Sequence, residues 1–132
     1  MNITTLLVGG FLIAHGLIHA SYASPAPPSG PVTWPFDLTR SWLLSSLGLI
    51  AIAKPLGTLL WILATIGFVG SGLGFVGVSF LHEWWRALVL VSAIASLALL
   101  ILFWHPMIVL GIVIDGMLIA VVLSKGITAR TL

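Results

Sequence analysis

Apolar positions run along this chain in long uninterrupted stretches, and the polar positions fall almost entirely between them. Ile3–Ala23 is the first such stretch, and Leu56–Leu81 is the second. After the polar and aromatic break "HEWWR" at residues 82–86, Ala87–Ser124 forms a third run of 38 residues. A helix rises 1.5 Å per residue, and about 20 apolar residues cross the ~30 Å hydrocarbon layer. The third run is nearly twice that length, so it predicts a hairpin. The hinge is "WHP", residues 104–106, because Pro106 cannot continue a helix but suits the first turn of a new one. The pattern therefore predicts an all-α membrane protein, a single domain over 1–132 with four transmembrane helices at 3–23, 56–81, 87–103 and 106–124.

Residues 24–36, "SPAPPSGPVTWPF", contain five of the seven prolines and predict an extended outer loop. Asp37 follows as a candidate N-cap. Residues 38–53 then read as one short interfacial or re-entrant helix ending before Pro55, since the uncharged part, Ser41–Ala53, has 13 residues. A fifth span is the alternative. Ser21-Tyr22-Ala23 has the small-x-small form of a cleavage site, but "MNITT" lacks the Lys or Arg of a signal peptide, so the first stretch reads as a retained anchor.

Composition sharpens this picture. Sixty per cent of the residues are hydrophobic and 6% are charged, far below the roughly 25% of soluble domains. The lipid bilayer is thus the expected surrounding. A net charge of +2 from five basic and three acidic residues offers no basic face, which excludes nucleic acid as a partner. With no cysteine there are no disulfides, thiolate metal sites or cysteine nucleophiles. Four spans leave both termini on one side with Arg86, Lys125 and Arg130, against Arg40 and Lys54 on the other. The positive-inside rule then favours cytoplasmic termini, by three to two. Tyr22, Trp34, Trp42, Trp61 and Trp104 gather near the outer interface, and Trp84 and Trp85 near the inner one.

Candidate chemistry lies within the spans. "HGLIH", residues 15–19, places His15 and His19 four apart on one helix face, and Asp115 sits in the middle of the last span. Ionisable groups at that depth are costly and face the interior, so the expected arrangement pairs His15 with Asp115. Ordinary hydrogen bonding between helices accounts for these residues equally well. Two imidazoles and a carboxylate also suit a transition metal, a single buried His suits haem or a pigment, and the set could line a proton path. Because "HGLIH" lacks the Glu of H-E-x-x-H, metalloprotease chemistry has no base in the motif. Catalytic residues: none are expected, for there is no Ser elbow and no phosphate loop, and the three carboxylates lie at different levels. Glu83 and Arg86 read as an interfacial ion pair, and His105 as an exposed helix-start residue. Gly70, Gly74, Ser92 and Ser96 are the candidate helix-packing positions, through Gly70-x-x-x-Gly74 and Ser92-x-x-x-Ser96.

Three segments, "AHGLIH", "FDLTRSW" (36–42) and "FWHPMIVLGIVID" (103–115), together resemble a group of uncharacterised small bacterial four-span membrane proteins. The resemblance covers most of the chain. It implies four spans, and no activity; the expected location is a bacterial inner membrane. With little soluble mass and no catalytic set, the chain reads as a non-catalytic subunit of a larger membrane assembly, respiratory or photosynthetic, whose partners are other membrane subunits. The alternative is a small protein that binds a metal, haem or pigment, or conducts protons, through His15, His19 and Asp115.

Overall fold

The computed structural model describes residues 2–28, 30 and 33–124. Lys125 and Arg130, two cations of the orientation argument, lie outside them, as do Ser29, Pro31 and Val32 of the loop. Helix α1 spans Ile3–His19, and its Asn2 cap accepts from the Thr5 backbone N–H at 2.8 Å. It tightens into a 3-10 turn at Ala20–Ala23. After the loop come α2 (Trp42–Ser46), α3 (Ala53–Phe75) and the single turn α4 (Ser79–His82). Next is α5 (Trp85–Leu102), and a 3-10 turn at Pro106–Ile108 then leads into α6 (Val109–Leu123). Four helical segments, Ile3–Ala23, Ile50–Phe75, Trp85–Leu102 and Pro106–Leu123, are long and apolar enough to cross a membrane. That is the mark of a multi-pass membrane protein.

The second of these segments stands about six residues before the expected 56–81. Pro55 does not end a helix. It sits in the first turn of α3, where a missing N–H costs nothing. At the other end Gly77, with φ +103°, turns the chain out of helical geometry inside a run that stays apolar to Leu81.

The stretch 38–53 is also not one helix. Asp37 forms a local turn, accepting from the Thr39 backbone N–H at 2.8 Å, and the cap of α2 is Ser41. Helix α2 then lasts five residues, because Gly48 at φ +70° breaks it. The side chains of Ser41 and Trp42 each donate to a carbonyl at the end of α5, Leu102 and Ile101, both at 2.7 Å. Those carbonyls have no partner within their own helix, so α2 works as a lateral cap for α5.

Helix α1 packs on α3, α3 on α5, and α5 on α6. Glycine sets the close approaches. A Cβ added at Gly72 would lie 2.6 Å from the Gly9 carbonyl oxygen, and one at Gly67 would overlap the Ser92 hydroxyl. Gly70, by contrast, has only Leu88 at 3.5 Å, and Gly74 faces the Leu81 backbone of the adjacent turn. The close crossings of α3 therefore use Gly67 and Gly72.

Two apolar clusters fill the interior. One, toward the chain ends, holds Leu12, Ala64, Phe68, Phe75, Trp85, Val89, Ala93 and Val122. The other, toward the loop, holds Tyr22, Leu38, Leu44, Ala53, Leu99 and Phe103. Trp85 is buried edge-on against Phe75 with the Arg86 guanidinium 5.5 Å from its ring centre, whereas Trp84 is exposed as an interfacial ring would be. His105 does start a helix: its Nδ1 accepts from the Met107 backbone N–H, and Nε2–H donates to Thr33 Oγ1 at 2.8 Å.

Candidate functional site

Between the two apolar clusters lies a polar layer. Along α1 and its closing 3-10 turn it falls between Leu12 and Tyr22, and in α5 between Ala93 and Leu99. His15 and His19 come from α1, Ser96 from α5 and Asp115 from α6, and all four are buried. Helical spacing stacks the two imidazoles, whose ring centres are 5.1 Å apart in an edge-on arrangement.

His15 Nε2 meets Asp115 Oδ1 at 2.9 Å. The other carboxyl oxygen, Oδ2, is 2.5 Å from Ser96 Oγ, which is 2.6 Å from His19 Nε2. His19 Nδ1–H closes the path by donating to the His15 carbonyl at 3.0 Å. One continuous set of hydrogen bonds thus joins three helices. A buried polar group in hydrocarbon costs several kcal/mol when unpaired, on the order of 2–7 by transfer scales, and this set leaves none of the four without company.

Ser96 was legible in the sequence only as a packing residue. Its role emerges by comparison with its neighbours. Ser71 and Ser92 are equally buried, yet each turns its hydroxyl back to a carbonyl of its own helix, Phe68 and Leu88. Ser96 alone of the three directs its hydroxyl at side chains of other helices. Phe68 from α3 completes the enclosure, edge-on to His15 at 4.7 Å, while Phe11 stacks over the same imidazole at 5.9 Å.

The candidate ligand atoms of His15, His19 and Asp115 lie within 4.8 Å of one another, so a small cation could be reached by all three after their mutual hydrogen bonds opened. A planar macrocycle fits less well. Aromatic rings cover His15, both Nε2 atoms face side chains of the interior, and haem ligation needs an open face at the ligating nitrogen. At the loop end an open recess of about 760 Å³ is lined by Trp34, Asp37, Arg40, Trp104 and His105 among others. It is separate from the polar layer. No protein-family model matches the chain, and no curated protein or solved structure is similar to it.

Proposed function

We propose that the protein is a non-catalytic integral membrane subunit, a four-helix bundle with α2 as a surface helix, that packs against other subunits of a larger membrane assembly. The observation that carries this reading is the state of α6. That helix rests on α5, buries only Asp115 and Val122, and leaves Leu110, Val113 and Met117 exposed. Gly116 lies among them with nothing within 4 Å of an added Cβ. Glycine weakens a helix by about 1 kcal/mol relative to alanine, and no contact within the chain offsets that cost here. In membranes, exposed small residues let a second backbone approach. The occupant that fits is a transmembrane helix of a different subunit.

The polar layer supports the same reading. It is closed from outside, so it serves to hold α1, α5 and α6 in register rather than to admit a substrate. The sequence count of cations, Arg86, Lys125 and Arg130 against Arg40 and Lys54, supports cytoplasmic termini by three to two, and the resemblance to small bacterial proteins supports a bacterial membrane.

The test is extraction in native lipid followed by mass measurement of the intact particle. The expected result is a particle heavier than one chain, with fixed stoichiometry, from which Gly116→Leu releases the partner. A monodisperse single chain from the wild type overturns the proposal.

A further inference from the structure

We infer that the Asp115–Ser96–His19 path carries one mobile proton, so that the polar layer exists in two forms exchanged by concerted transfer through the Ser96 hydroxyl. A carbonyl only accepts, so His19 Nδ1, 3.0 Å from the His15 carbonyl, bears a hydrogen. Ser96 Oγ has one hydrogen and two acceptor-capable neighbours, Asp115 Oδ2 at 2.5 Å and His19 Nε2 at 2.6 Å. It can donate to one of them only, and the other contact holds only if that neighbour donates to Ser96.

With His15 donating through Nε2–H to Asp115 Oδ1, and the Ser96 hydroxyl hydrogen kept within the path, two assignments satisfy every contact. In the first, Ser96 donates to the Asp115 carboxylate, and His19 donates through both nitrogens as an imidazolium. In the second, Asp115 carries a proton on Oδ2 and donates to Ser96, which donates to the bare Nε2 of a neutral His19. In both, His15 Nε2–H donates to Asp115 Oδ1. Passing from the second form to the first breaks the Asp115 O–H and Ser96 O–H bonds. It forms a new Ser96 O–H bond and the His19 Nε2–H bond. No proton enters or leaves, and the net charge of the layer is unchanged.

What changes is charge separation: a neutral pair becomes an ion pair with a hydroxyl between. Low-dielectric surroundings favour the neutral form, and a polar group oriented to stabilise the His19 imidazolium or the Asp115 carboxylate favours the ionic one. The device is therefore a proton switch that responds to its surroundings without exchange with solvent. It requires no partner subunit, so it stands or falls independently of the assembly proposed above.

The experiment is solid-state NMR on protein labelled with ¹⁵N-histidine and ¹³C-aspartate, reconstituted in lipid vesicles, with His19 assigned by loss of its signals in His19→Gln. The expected result is a His19 Nε2 resonance between the bare-nitrogen and N–H positions. It shifts with temperature, and the Asp115 carboxyl carbon shifts in step between its acid and carboxylate positions. Ser96→Ala is expected to freeze both signals and Ser96→Thr to restore their motion. A His19 Nε2 signal fixed at either extreme across temperature in the unmodified protein overturns the inference, even should the variants fail to fold. So does a stoichiometric transition metal in the purified sample.

Discussion

His15 and Asp115 stand 100 positions apart in the chain and meet at 2.9 Å, although the helices that carry them make their extensive contacts elsewhere, α1 on α3 and α6 on α5. The bond between the two side chains is thus a direct tie between the first and last helices. Asp115→Ala removes the hydrogen-bond partner of both His15 and Ser96 and leaves them buried without it. The expected loss is about 1–3 kcal/mol of unfolding free energy, the cost of a stranded buried polar group. Asp115→Asn, which retains an acceptor oxygen and shape, is expected to lose less. Reversible unfolding in mixed detergent micelles measures both, and wild-type stability in Asp115→Ala would show that the tie carries no weight.

Glycine substitutions along α3 should separate by helix face. Gly72→Ala forces a Cβ to 2.6 Å from the Gly9 carbonyl oxygen and 2.7 Å from Ile13 Cγ1, with backbone on one side and little freedom to move. Overpacking of this kind costs about 1–3 kcal/mol. Gly70→Ala meets only Leu88 Cδ1 at 3.5 Å and should be neutral, or stabilising by up to about 1 kcal/mol through helix propensity. Thermal melts of the two variants decide it; equal effects would contradict the packing described for α1 on α3.

Ser41 holds two jobs. Its hydroxyl donates to the Leu102 carbonyl at 2.7 Å and accepts from the Leu44 backbone N–H at 3.2 Å. Ser41→Ala should cost about 1 kcal/mol as a lost cap. Its effect should be local, read as faster amide hydrogen exchange over residues 42–46 with unchanged exchange in α1. Slowed or unaltered exchange in α2 is the contrary outcome.

Gly48 and Gly77 lie at φ +70° and +103°, where an L side chain is strained, and neither has a neighbour within 4 Å of an added Cβ. Gly77→Ala and Gly48→Ala should therefore each destabilise by roughly 1–2 kcal/mol through backbone geometry alone. Gly116→Ala in the isolated chain serves as the control and is expected to leave stability level or slightly raised. Gly77→Ala with a wild-type melting temperature would argue against the turn after α3.

Length and hydropathy were enough to find the spanning helices, because lipid demands long apolar runs and the chain has little else. They failed at the second boundary for a physical reason. The turn at Gly77 is made by a backbone angle, within "GFVGVSF", where no polar residue marks it. Pro55 misled in the opposite sense, since proline serves the start of a helix as readily as it stops one. The His15–Asp115 contact was legible from matched depth and the need for company in hydrocarbon. Ser96 was not, because a serine one turn from Ser92 reads as a twin, and only the fold decides which hydroxyl turns back to its own helix. The Gly67–Ser92 approach was hidden likewise: five glycines from Gly67 to Gly77 mark α3 and the turn after it as closely approached without saying by which neighbour.

Asp115 also imposes an order on how the protein comes into being. A carboxyl at mid-helix costs ~2.5–3.5 kcal/mol to insert alone. Its hydrogen-bonding residues, on α1 and α5, leave the ribosome before it does. The carboxyl thus arrives when its berth has already been built. Were the same segments made in reverse order, the carboxyl would meet the bilayer with no imidazole or hydroxyl waiting for it.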